Sequence, residues 1–209
     1  MSLRANLITT AALFYERGWM WGTAGNLSAR SDDGIWITAS GVNKGSLGIE
    51  DFLLLDHTGE IQLAPPNKRC SAETSLHLAV YQHLPRELAC LHVHSTESNL
   101  VCQLLSPHSD LYPHLLPLPP LEMLKGVGIW EEHPSCSIPV FNNHASVPLI
   151  AEELSQFLLE KKIQVPGFLI KNHGLTVWGK DIREATNRLE CFSYIFRYMI
   201  QSASLSTPL

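Results

Sequence analysis

Three histidines carry the chemistry most directly written in this chain. His92 and His94 flank Val93 at the end of the apolar run Ala89-Cys90-Leu91, and His173 lies far downstream in Lys171-Asn172-His173-Gly174. Side chains at i and i+2 of a β-strand leave the same face, so His92 and His94 aim together while Leu91 and Val93 point the other way. Neutral imidazoles suit Zn²⁺ and similar borderline ions, and three protein ligands leave a coordination position for water or substrate. A His-x-His at a strand end is also an ordinary polar pair. Two histidines on one face of a buried strand nevertheless need partners, and carboxylates stand in motif-like settings at Glu73 and Glu122. The pattern predicts a metal-assisted catalyst.

The elements that position these residues follow from periodicity and turn chemistry. Leu3, Leu7, Ile8, Ala11, Ala12 and Phe14 repeat at a helical period that Gly18 is placed to end. Residues 27–30 and 35–38, joined through Asp32-Asp33-Gly34, predict a β-hairpin, and residues 52–55 followed by His57-Thr58-Gly59-Glu60 predict a second. Helical spacing over 72–83 precedes the histidine strand at 89–94. Another helix over about 96–104 leads into a proline-rich segment, 107–120, which reads as a functional loop or a subunit contact. A strand near 138–141, a helix over about 147–162, a hairpin of 167–171 with 175–178 and a helix over 182–199 complete the body. Hairpins interleaved with helices imply an α/β fold: a three-layer α/β/α single domain whose central sheet is largely antiparallel or mixed. Residues 1–201 form the expected catalytic domain and 202–209 a C-terminal tail.

Composition narrows the partners. The 209 residues are 45% hydrophobic and 17% charged, ordinary for one packed domain. A net charge of −5 without any Lys/Arg run argues against nucleic acid and anionic membrane surfaces, leaving a small molecule as the expected partner. Five cysteines, at 70, 90, 102, 136 and 191, are odd in number and form no C-x-x-C pair. With no secretory leader pattern and no membrane-length apolar run, they predict a cytoplasmic protein.

Five ordered motifs then carry a family resemblance. Gly22-Thr23-Ala24-Gly25-Asn26-Leu27-Ser28, Thr38-Ala39-Ser40-Gly41, Ser71-Ala72-Glu73, His92-Val93-His94 and Asn172-His173-Gly174 occur in the order and approximate spacing of the class II aldolase and adducin-head superfamily, over nearly the whole chain. Within it, Leu121-Glu122-Met123-Leu124-Lys125-Gly126 followed by Trp130-Glu131-Glu132 resembles the branch of methylthioribulose-1-phosphate dehydratases, zinc enzymes of methionine salvage. The resemblance implies His92, His94 and His173 as ligands of one Zn²⁺ per subunit. It implies Glu122 as the acid/base and Glu73 as a second catalytic carboxylate. It also implies Gly25, Asn26, Ser40, Gly41, Lys44 and Ser71 as phosphate contacts, and a homotetramer with active sites near subunit boundaries. Histidine ligands alone do not separate Zn²⁺ from Fe²⁺, Co²⁺ or Mn²⁺.

Backbone amides of glycine-bearing turns, aided by hydroxyls, can hold a phosphate dianion, and no G-x-x-x-x-G-K-[ST] loop points to a nucleotide. A sugar-phosphate aldolase or epimerase remains an alternative, as does a non-catalytic adducin-like module, against which the three histidines argue. His77, four residues after Glu73, stays outside the expected site because i,i+4 neighbours are common contacts. Cys70 has no evident activating base. His108, His114, His133 and His144 sit in loop-like surroundings and read as exposed or subunit-contact residues.

Overall fold

A computed structural model describes residues 2–105, 113–160 and 163–206. Helix α1 (Leu3–Glu16) starts where the Ser2 hydroxyl accepts the Ala5 amide hydrogen, and the chain reverses at Gly18 in the left-handed region, φ +76°. Strands β1 (Asn26–Ser31) and β2 (Gly34–Thr38) form the first expected hairpin, and β3 (Phe52–Leu55) and β4 (Ile61–Leu63) the second. Helix α2 (Thr74–His83) precedes the histidine strand β5 (Ala89–Val93), and helix α3 (Thr96–Leu105) follows it. Then come β6 (His114–Pro117), β7 (Ser137–Phe141), α4 (Val147–Leu159), β8 (Gly167–Ile170), β9 (Gly174–Gly179) and α5 (Ile182–Ser206).

The nine strands among the described residues form one sheet in the order β4-β3-β2-β1-β5-β9-β8-β7-β6. Every neighbouring pair is antiparallel except β7 and β8. Parallel neighbours need a crossover, and α4 supplies it. The sheet is therefore mixed and mostly antiparallel, in line with the α/β/α expectation.

Alternation along the strands divides the apolar residues between two cores. Leu27, Ala29, Leu91, Val93, Leu175 and Val177 meet α1, α3 and α5 on one face. Cys90, Phe168, Ile170 and Trp178 meet α2 and α4 on the other. His92 follows the parity of Cys90, so it faces the α2/α4 side.

Two sequence expectations are corrected. The proline-rich segment is not wholly loop: its described part contains β6, paired antiparallel with β7 from His114↔Val140 to Pro117↔Ser137. Prolines are tolerated here because β6 is an edge strand. His114 therefore lies on a strand, whereas His108 falls outside the described residues. The terminal helix also extends to Ser206, well into the expected tail, with the Ser204 hydroxyl bonded to the Ile200 carbonyl at 3.0 Å.

Candidate metal centre and anion cavity

Three strands and one helix end converge to build the centre. In the β1–β5 register Asn26 stands opposite His92, and in the β5–β9 register His92 stands opposite Thr176. His94 follows the last residue of β5, where its amide donates to the Trp19 carbonyl at 2.9 Å. His173 is carried on the turn between β8 and β9, where Asn172 adopts a left-handed φ of +54°. Asparagine tolerates that conformation better than most residues.

The three imidazoles meet through one nitrogen each. His92 Nε2 lies 2.9 Å from His94 Nε2 and 3.4 Å from His173 Nε2. A carboxylate oxygen of Glu73 completes the group, all four ligand atoms lying within 4.8 Å of one another. A tetrahedral ion with metal–nitrogen bonds of about 2.0–2.1 Å holds its ligand atoms roughly 3.3 Å apart, so the nitrogen spacing fits a single small cation. The far side of His92 is fixed as well, with Nδ1 2.9 Å from the Thr176 hydroxyl, which leaves Nε2 free to bind.

Electrostatics prepare the same outcome. Burial, reinforced by the neighbouring imidazoles, holds His92 well below the usual histidine range and brings His94 down to about 4. Both are neutral at physiological pH, as ligation requires. Glu73 is held far below the ordinary carboxylate range, chiefly by His173 and, against the opposing effect of burial, by the Ser71 hydroxyl. It is ionised, 3.6 Å from His173 Nε2, and hydrogen-bonded by Ser71.

Beside His94 and Glu73 opens a cavity of about 300 Å³ lined by Thr23, Ala24, Gly25, Ala39, Ser40, Gly41, Lys44, Ser71 and Ala72. Five of the six residues expected at a phosphate thus surround one space. Gly25 has to be glycine: its φ is +73° and a Cβ there would lie 2.7 Å from the His92 carbonyl oxygen. Lys44 is only 1% exposed, and its ammonium donates to the carbonyls of Thr23 and Val42 at 3.0 and 2.9 Å. Burial lowers its pKa to about 8, with Glu73 and Asp51 opposing the shift.

Asn26, the sixth expected phosphate residue, does not line the cavity. It is 2% exposed and its Nδ2 donates to Glu73 Oε2 at 3.3 Å. Glu122 is not among the four converging groups; its side chain is 83% exposed and paired with Lys125 at 2.7 Å. Of the other flagged residues, His133 is exposed, His144 pairs with Glu153 at 2.8 Å, and all five cysteines are free thiols. Burial raises the Cys70 thiol above its ordinary range, so it is no activated nucleophile.

One buried polar element escaped sequence reading. His77 is fully buried, with Nδ1 2.6 Å from the Ser28 hydroxyl, which also lies 2.7 Å from Tyr81 Oη. Its i,i+4 relation to Glu73 was visible in the sequence; Ser28 as its partner was not.

Comparison with known proteins identifies relatives in sequence and in fold. Residues 5–200 match the family described as the Class II Aldolase and Adducin N-terminal domain. The chain is 47% identical to a methylthioribulose-1-phosphate dehydratase of Microcystis aeruginosa, over 94% of each chain. It is 43% identical to one of Leptospira biflexa, covering 90% of this chain and 91% of that one. Among solved structures it is similar to YgbL from Escherichia coli, with a TM-score of 0.77 and 27% identity over 95% of this chain and 88% of that one.

Proposed function

The chain belongs to the class II aldolase and adducin N-terminal domain family, and from that membership we propose that it is a metal-dependent hydro-lyase. The reaction is dehydration of 5-methylthioribulose 1-phosphate to 2,3-diketo-5-methylthiopentyl 1-phosphate, in methionine salvage. The observation that carries this reading is the convergence of His92, His94, His173 and Glu73 beside a cavity lined by Gly25, Ser40, Gly41, Lys44 and Ser71. A cation site next to an anion site is what a ketose phosphate requires.

When bound, a divalent cation, which we take to be Zn²⁺, supplies Lewis acidity that stabilises enediolate charge. Lys44 and the turn amides hold the phosphate and thereby fix the sugar chain relative to the histidines. Dehydration breaks the C3–H and C4–OH bonds: a base takes the C3 proton, the C4 hydroxyl leaves as water with a proton, and the resulting enol is protonated at C4 to give the diketone. We assign the acid/base work to Glu122, with Glu73 as the second carboxylate. The protein acts on this small molecule as a cytoplasmic homotetramer with one catalytic domain per chain. No described helix is long and apolar enough to cross a membrane. A monomeric mass by light scattering would overturn the tetramer.

Glu73, not Glu122, stands with the histidines, and this favours a second reading as an aldolase that cleaves C3 from C4. An NMR time course of metal-loaded protein with 5-methylthioribulose 1-phosphate separates the two. The intact diketo phosphate identifies the dehydratase; dihydroxyacetone phosphate with methylthioacetaldehyde identifies the aldolase. Unchanged substrate with bound metal verified overturns both.

A further inference from the structure

The residue that caps α2 and a side chain one turn into the helix are each bonded to a side chain of β1, two residues apart. Glu73, at the start of α2, takes the amide of Asn26 at 3.3 Å, and His77 meets the Ser28 hydroxyl at 2.6 Å. Tyr81, a further turn along, closes on the same hydroxyl at 2.7 Å. Helical spacing of four and strand spacing of two each return to the same face, so the contacts form the rungs of a ladder between helix and sheet. In the sheet, Asn26 stands opposite His92 and Ser28 opposite Cys90, which places the ladder beside β5, the strand that carries His92 and leads into His94.

The surroundings of the lower rungs are apolar. Leu76, Val80, Ala79 and Cys90 belong to the same buried cluster, and Ser28, His77 and Tyr81 are 0%, 0% and 3% exposed. A purely adhesive contact here needs no polar atoms, since apolar side chains of similar shape hold a helix to a sheet equally well. Among the described residues, His77 Nε2 has no hydrogen-bond partner. Directional hydrogen bonds hold one register, whereas apolar contacts tolerate sliding and rotation.

We propose that Ser28, His77 and Tyr81 are positioning residues that set where α2 presents the Glu73 carboxylate relative to His92, His94 and His173. They touch neither substrate nor metal and act through Glu73. The ladder proposal rests on the catalytic reading above only for its activity readout.

The test compares the full-length S28A/H77L/Y81F variant, in which every partner becomes apolar together, with His77→Asn, whose side-chain amide can occupy the Nδ1 position and keep the rung. Crystal structures of the zinc-loaded proteins report the Glu73 carboxylate directly, and steady-state kinetics at saturating metal report kcat and KM. The expected result is a folded triple variant whose Glu73 carboxylate moves by about 1 Å or more, with kcat down by roughly 10- to 100-fold and KM within about threefold, and near-wild-type behaviour for His77→Asn. An unmoved carboxylate with wild-type kcat overturns the proposal, as does a lower melting temperature with kcat per folded molecule unchanged. If the triple variant does not fold, Ser28→Ala is read by the same criteria. A displaced Glu73 in a protein whose wild type does not turn over the substrate upholds the ladder and overturns the catalytic reading instead.

Discussion

Gly174 lies so close to Val93 that a Cβ built on it would fall 2.1 Å from the Val93 carbonyl oxygen and 3.2 Å from the His94 ring. The strand carrying His92 and the turn carrying His173 can approach to ligating distance because position 174 has no side chain. Gly174→Ala is therefore expected to push these elements apart, costing about 1–3 kcal/mol of stability through overpacking and weakening metal binding by at least about tenfold. Thermal unfolding and chelator competition measure the two effects.

The two carboxylates differ in environment, and separate substitutions assign their roles. Glu122→Gln is expected to lower kcat of the dehydration by about 10²–10⁴-fold while leaving metal content unchanged, since Glu122 is not one of the four grouped ligand residues. Glu73→Gln is expected to weaken metal retention as well as turnover. Metal analysis alongside kinetics checks both, and full activity of Glu122→Gln would shift the acid/base assignment to Glu73.

Lys44 predicts a pH dependence for anion binding. Its folded pKa, lowered to about 8, means that the cation is present below that pH and lost as pH rises through it. Affinity for inorganic phosphate should be nearly constant from pH 7 towards 8, then fall by up to about tenfold per unit above it. Lys44→Met should bind more weakly and lack this step. Calorimetric titration across pH 7–9.5 reads the difference.

His77 predicts a pH dependence of stability with the sign set by its buried, neutral form. Burial lowers its pKa from 6.5 to about 4, with Glu73 opposing. Between these values the unfolded chain binds the proton and the folded chain does not, so stability is fully present above 6.5 and is lost as pH falls through the window to about 4. The 2.5-unit difference corresponds to about 3 kcal/mol. Urea unfolding at pH 8 and pH 5 should show a smaller acid loss for His77→Asn than for the wild type.

Most elements were legible because their signals are local. The apolar run Ile35-Trp36-Ile37, the turn at Asp32-Asp33 and the helical spacing of Leu3, Leu7 and Phe14 each involve residues a few positions apart, where local backbone geometry sets the pattern. Strand β6 was not legible: His114 to Pro117 holds two apolar residues and a proline, and it forms a strand because β7 offers it an edge. The last turns of α5 lack an apolar stripe strong enough to separate them from a tail.

For the site, the sequence by itself determined the candidate ligand residues and the glycine- and hydroxyl-bearing loops that line the cavity. Period-two geometry fixes which residues of one strand look the same way, whatever lies beside it. Only the tertiary structure decided which strands become neighbours, and with that the meeting of His173 with His92 and the choice of Glu73 over Glu122 as the nearby carboxylate. It also turned Asn26 from the cavity towards Glu73 and Ser28 towards His77. Such contacts depend on strand order and on the seating of α2 against β1, which arise from the combined burial of two cores and leave no periodic trace in the chain.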